Sequence, residues 1–291
     1  MENFKKKFLN LCARRYFEKY SINVPLKKHD IVGYINDDVT RETLLAGGQE
    51  IKEWGGVIQF LLNKNIKLDA FIDCGANIGT TTIQVSNHFD NIYSLEPLPK
   101  TYDILKLNTS DLKNVKIMNL GVSDAIGDGI MNYGPGFLCG ASLNDQAGSV
   151  ECINVKLSTL DHIFKNHIFN YPPIIKLDIE GHEYQALKGA NNILKTYQPI
   201  VILEINRNQI LNGSSNAFKL LQSYGYKFHN PQPKYKLNKI IRYLPVVRDL
   251  LRNDEIEIIK INKLVSKNYS AYGVGTLYKT LVCLPSNAGS N

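Results

Sequence analysis

The stretch Asp73-Cys74-Gly75-Ala76-Asn77-Ile78-Gly79 constrains this chain more than any other. It follows the apolar run Ala70-Phe71-Ile72 and precedes a segment with helical patterning, Thr80 to His88. A glycine-bearing turn between a buried strand and a helix is where an open α/β sheet usually binds its ligand. Gly75 and Gly79 let the backbone turn tightly and approach a ligand with no Cβ in the way. Asp73 is placed to accept from the amino group of an amino-acid moiety, directly or through water. The dinucleotide fingerprint G-x-G-x-x-G, whose N–H groups hold a pyrophosphate, does not fit. Asn77 stands where its middle glycine belongs and Thr80 where its last one belongs.

The pattern D-x-G-x-x-x-G instead suits a cofactor without phosphate, such as S-adenosylmethionine (SAM). Ile92 to Leu95 reads as the next strand and ends on Glu96, where an acid can take both hydroxyls of a ribose. The plainer reading of Glu96 is a glutamate favoured at a helix N-terminus. Pro97 opens the next helix, which runs to about Asn108, because a missing N–H is harmless there. Val115 to Leu120 is a third strand. In the following Gly121-Val122-Ser123-Asp124, Ser123 and Asp124 either meet an adenine edge or form an ordinary turn. Val150 to Leu157 alternates like a strand after glycine-rich turns around Gly134-Pro135-Gly136. Ile174 to Leu177 and Ile200 to Ile205 are further strands, separated by a helix from Glu183 to Thr196. Tyr226 to His229 and Thr276 to Leu284 form a terminal strand pair. This alternation predicts a mainly parallel sheet with helices on both faces.

Residues 1–67 read as a helical and irregular N-terminal region, and residues 68–291 as the catalytic domain. Phe4, Phe8, Leu11 and Cys12 share a helical face, and a second helix covers Gln49 to Asn63, with Trp54 assigned to the core. An insert spans about 231–270. Its stretch Lys234 to Arg252 is basic and amphipathic, and is either a partner- or membrane-facing helix or a cap over the site. With 44% hydrophobic and 21% charged residues in 291, the chain is globular in composition. The net charge of +7 admits an anionic substrate, nucleic acid or a membrane surface and says nothing of fold. No run of about 18 apolar residues predicts a spanning helix. The N-terminus lacks the apolar core and cleavage site of a secretory signal. Five widely spaced cysteines without C-x-x-C argue for a reducing compartment and against a disulfide framework or structural zinc. The expected location is the cytoplasm, with peripheral membrane contact left open.

The block Lys176-Leu177-Asp178-Ile179-Glu180-Gly181-His182-Glu183 is the most distinctive. With Asp73 to Gly79, Glu96-Pro97, Val122-Ser123-Asp124 and Leu160-Asp161, it resembles the FkbM-type methyltransferases over about Leu68 to Asn206. The resemblance implies a Rossmann-like class I fold with a seven-stranded, mainly parallel sheet. It implies SAM as methyl donor, and transfer usually to oxygen, on sugar hydroxyls, polyketide-type products or other small acceptors. It leaves the acceptor open, since fold and cofactor do not fix it.

A hydroxyl acceptor must be aligned with the methyl group and relieved of its proton. Lys176, Asp178 and Glu180 have period-two spacing and share a face if the strand persists. Lys176 lies deep and needs a carboxylate partner. Glu204 ends the strand Ile200 to Ile205 and can face the same crevice. Asp178 or His182 is the candidate proton acceptor, with Glu180, Glu183 and Glu204 orienting groups or a metal. Mg²⁺ prefers such oxygen ligands, with Asp178 and Glu204 its first candidates, but no metal is assigned. Two other readings compete. RNA methylation draws on the net charge but lacks an aromatic-rich RNA-binding module. A non-catalytic scaffold on the same fold predicts degraded cofactor motifs, and these are intact.

Overall fold

The computed structural model describes residues 31–33, 49–134, 137–143, 151–233, 256–264 and 276–288. The helices read at Phe4 to Cys12 and at Lys234 to Arg252 fall outside these residues. A helix α1 (Gln49–Asn63) is followed by β1 (Ala70–Cys74), α2 (Thr80–Val85), β2 (Asn91–Leu95), α3 (Pro99–Asn108) and β3 (Val115–Met118). Then come β4 (Gly121–Val122), β5 (Gly127–Gly134), β6 (Phe137–Ser142), β7 (Glu151–Ser158) and α4 (Leu160–Ile163). The chain continues through β8 (Ile174–Leu177), α5 (Glu183–Lys188), α6 (Asn191–Tyr197), β9 (Ile200–Asn206), α7 (Asn216–Ser223), β10 (Lys227–Pro233), β11 (Ile256–Ile261) and β12 (Thr276–Leu284).

Among the described residues the main sheet has eight strands, in the order β11-β10-β12-β9-β8-β1-β2-β3. β3, β2, β1, β8 and β9 run parallel, and β12 is antiparallel to both of its neighbours, β9 and β10. The seven expected strands are all present. The eighth, β11, comes from the region read as an insert: it pairs antiparallel with β10, whose own end reaches Pro233. A second sheet, ordered β4-β7-β5-β6, stands beside β3 in the chain and fills the segment whose rhythm is loosest in the sequence.

Strand alternation divides two apolar layers. Ala70, Ile72 and Cys74 of β1 and Val201, Leu203 and Ile205 of β9 meet α5, α6 and α7 through Ala186, Leu187, Ile193, Leu194 and Phe218. Phe71, Ile200 and Ile202 face the other way, against Trp54, Val57, Ile58 and Leu61 of α1. Both faces are therefore covered, as the near-continuous apolar strands require. Trp54 sits edge-on to Phe71 at 5.6 Å, a core position. Among the described residues, no helix is long and apolar enough to cross a membrane.

Of the element boundaries that differ from the sequence reading, three involve helices. The third helix begins at Pro99, not Pro97; Pro99 takes the first helical position and Leu98 is the N-cap. α2 ends at Val85, where Ser86 turns its hydroxyl back onto the Ile83 carbonyl. The helix expected over Glu183 to Thr196 is two helices broken at Gly189-Ala190. A Cβ on Gly189 would lie 2.1 Å from the Ser123 carbonyl oxygen, so the chain passes Ser123 too closely for any residue but glycine at the break. Asp161 then caps the second helix, accepting from the N–H groups of Asn192 and Ile193.

Candidate active site

The turn after β1 is held from below and from the side. Gly75 and Ala76 both donate their N–H to the Leu95 carbonyl at 3.0 Å, and Asn77 donates its N–H to Glu96 Oε2 at 3.0 Å. Three successive loop N–H groups are thus directed at β2, not at an open anion nest. Gly75 and Gly79 have φ of +79° and +93°. A Cβ on Gly75 would lie 1.9 Å from the Asp178 carbonyl oxygen, so the turns after β1 and β8 are in backbone contact. Gly75→Ala should therefore lower stability by about 2–4 kcal/mol, from left-handed strain plus overlap. Denaturant unfolding checks this; a midpoint unchanged from wild type would mean that the two turns part easily.

Asp73 is 0% exposed and lies under the turn. Its Oδ2 accepts from Thr82 Oγ1 at 2.8 Å, and Thr82 is in turn 2.7 Å from Ser94 Oγ. Its Oδ1 accepts from Lys176 Nζ at 3.1 Å. Lys176, 6% exposed, also pairs with Asp178 Oδ2 at 3.2 Å. One ammonium therefore joins the turn after β1 to the carboxylate after β8, and it has the carboxylate partners that a buried lysine needs. Thr82 and Ser94 were not singled out from sequence. Their only signal was a hydroxyl within otherwise buried runs.

The strand does not persist through Glu180. It ends at Leu177, and the chain turns through two left-handed residues, Glu180 and Gly181, at φ +53° and +95°. Glu183 shapes that turn: its Oε1 accepts from the N–H groups of Ile179 and Gly181, and its Oε2 from Gln209 Nε2. The turn still brings Glu180 to Asp178, where Glu204 arrives from β9. Asp178, Glu180 and Glu204 each place a carboxylate oxygen within 4.8 Å of the other two. Among the described residues these three could hold a divalent ion; Glu183, also considered for that role, turns its carboxylate to the backbone of the turn and to Gln209.

Electrostatics separates the three acids. Burial works to raise the Asp178 pKa, but the Lys176 charge and hydrogen bonds from Glu204 and Lys176 outweigh it and hold the carboxyl below its ordinary value. Burial, and then the charge of Asp178, push Glu204 well above the usual range, so Glu204 carries a proton and donates it to Asp178. Burial, Asp178 and Glu183 push Glu180 up to about 8. Asp178, with a side chain 35% exposed, is the ionised member that reaches the crevice. Cys74 sits in the same turn but is fully buried, with its thiol pKa pushed up by desolvation, so it is no nucleophile.

Glu96 is 6% exposed; besides Asn77, it accepts from the Leu98 N–H at Oε1. Burial pushes its pKa up to about 7. Each of its oxygens keeps a second lone pair for a ligand hydroxyl. Pro97 lies in the turn beyond, where Asn119 Nδ2 binds its carbonyl and that of Glu96. Ser123 and Asp124 follow β4, and Asp124 is paired with Lys188 of α5. His182, at the N-cap of α5, contacts Ser123 Oγ through Nε2 at 2.9 Å. Desolvation holds the His182 pKa below its ordinary value, so the ring is neutral.

The sheet order, the reversed β12 and the crevice at the ends of β1, β2 and β8 define a class I methyltransferase fold. The Methyltransferase FkbM domain matches residues 73–228, more than half of the chain, and the chain belongs to that family. It is similar to the hexuronic acid methyltransferase AglP of Haloferax volcanii, at 31% identity over 151 residues. That match covers 52% of this chain and 61% of the Haloferax protein. The methyltransferase sdnD of Sordaria araneosa is 24% identical over 179 residues, covering 46% of this chain and 69% of that one. Among solved structures, a methyltransferase FkbM from Methylobacillus flagellatus KT aligns with TM-score 0.40 and 14% identity, over 75% of this chain and 44% of that one.

Proposed function

We propose that this chain is a SAM-dependent O-methyltransferase acting on a hydroxyl of a sugar or another small molecule, with residues 68–291 as its catalytic domain. The observation that carries the cofactor reading is the turn after β1. Its N–H groups at Gly75, Ala76 and Asn77 bind Leu95 and Glu96, leaving glycine surfaces rather than an anion nest beside a carboxylate suited to ribose. The family and the sugar substrate in the name of the Haloferax relative support the acceptor class.

SAM, when bound, would supply a methyl group activated by its sulfonium charge. Glu96 would bind the ribose hydroxyls, and Gly75 and Gly79 would let the cofactor lie against the backbone. Asp178 would accept the proton of the acceptor hydroxyl as its oxygen takes the methyl group. A carboxylate of low pKa is strong enough for this, because that proton becomes acidic as the new C–O bond forms. Glu204, already protonated, keeps Asp178 in place and ionised. A metal at Asp178, Glu180 and Glu204 would have to displace the Glu204 proton first.

Calorimetric titration tests the reading. SAM should bind and NAD should not, and Glu96→Ala should weaken SAM by about 10- to 100-fold through lost charge-assisted hydrogen bonds. Folded protein that binds no SAM would require the assignment to be withdrawn.

A further inference from the structure

Strand β12 changes register as it passes the acid cluster. Tyr278 pairs with Ile205 and Leu281 with Leu203, so Lys279 and Thr280 together stand opposite the single residue Glu204. This is a β-bulge, a device that re-aims side chains and is common beside active sites. The buried layers show which way it aims them. Tyr278, Leu281, Leu203 and Ile205 all belong to the layer that meets α5, α6 and α7. Thr280 points to the other face, where its Oγ1 hydrogen-bonds Glu53 of α1. Glu204, between Leu203 and Ile205, alternates onto that same face.

A regular strand would set one side chain against Glu204. The extra residue sets two there, and the second is the ammonium of Lys279. Its charge is felt at both Asp178 and Glu180, where it opposes protonation together with that of Lys176. Lys279 is only partly exposed, so it stands at the rim of the cluster and not in open solvent. The acids call for such a charge. Asp178, Glu180 and Glu204 lie within 4.8 Å of one another, and acids this close repel unless protons or cations intervene. Lys176 serves them only in part, being divided between Asp178 and the fully buried Asp73.

We propose that Lys279 is the resident cation of the acid cluster: its ammonium, set there by the β12 bulge, stands in for a divalent ion and excludes one. An entering ion would be repelled by both lysines, in a partly buried site where water screens charge poorly. Lys279 is thus a positioning residue. It leaves Asp178 to meet the acceptor hydroxyl as a carboxylate with no metal on it. That consequence rests on the SAM reading above; the choice of cation does not.

The test is titration of the full chain with Mn²⁺, followed by loss of the paramagnetic resonance signal of the free ion. Lys279→Met should bind Mn²⁺ about 10- to 100-fold more tightly than wild type, as removal of one like charge near the ion predicts. Adding Glu204→Gln to Lys279→Met should abolish that gain, which places the ion at the cluster. Lys279→Arg keeps the charge and should behave as wild type. Thermal unfolding confirms that the variants fold. Equal Mn²⁺ affinity in wild type and Lys279→Met, or a gain that survives Glu204→Gln, would overturn the proposal. So would a wild-type chain that takes up Mn²⁺ and loses it in Glu204→Gln, a result that needs no lysine variant. A parallel titration with S-adenosylhomocysteine reports on the cofactor reading alone, and failure to bind it would leave the Mn²⁺ results standing.

Discussion

Asp178→Ala is expected to lower turnover by about 10²- to 10⁴-fold, the range for loss of a positioned proton acceptor. The protein should remain folded, because Lys176 keeps Asp73 as a partner and the backbone contact between Asp178 and Gly75 does not involve the side chain. SAM affinity should change less than turnover, since the lost group acts on the acceptor. Initial rates at saturating SAM, with thermal unfolding as control, measure both. Wild-type turnover in the variant would remove Asp178 from the chemistry and leave the acid cluster as a structural feature.

Lys176→Met should have the largest effect on stability. The substitution retains the length of the side chain and deletes the charge between two carboxylates. Asp73 has no exposure to water through which to recover its solvation. Breaking a buried pair by removing one partner costs about 3–5 kcal/mol. Urea unfolding of Lys176→Met should show that loss, and Asp73→Asn in the same chain should restore a good part of it by removing the stranded charge. A loss below about 0.5 kcal/mol would mean that other groups satisfy Asp73, and that Lys176 does not join the two turns.

The legible parts of this protein were those dictated by local chemistry. β1, β8 and β9 stood out because strands buried on both faces must be apolar throughout, and the Gly75 turn because positive φ and close approach need glycine. Lys176 announced its partner through the expense of burying an ammonium alone. What stayed hidden depends on distant residues. The need for glycine at the break, Gly189, is set by the Ser123 backbone, some 66 positions earlier, and a pattern of apolar residues has no means of showing it. The same holds for Asp161, which capped a helix that the sequence had merged into another. Glu180 joined the acid cluster through a left-handed turn, not through the strand alternation that suggested it. β11 lay within a region taken as an insert because its short run, Ile256 to Ile261, is broken by Glu257 and Lys260 and is an edge strand that pairs with β10. At the site, Asp73 was read as a ligand contact. It is placed instead as the buried anchor of the turn, with Thr82 and Lys176 on its oxygens.

The strand order also sets a timetable for assembly. Among the described strands β12 comes last, yet it lies between β9 and β10. During synthesis, β10 and β11 can form their hairpin but cannot dock onto the parallel strands until residues 276–284 have emerged. Until then β9 and β10 each present an unpaired edge to solvent, the kind of surface on which nascent chains associate with one another. A product halted before Thr276 would hold the turn after β1 but would leave β9 and β10 without the strand that joins them.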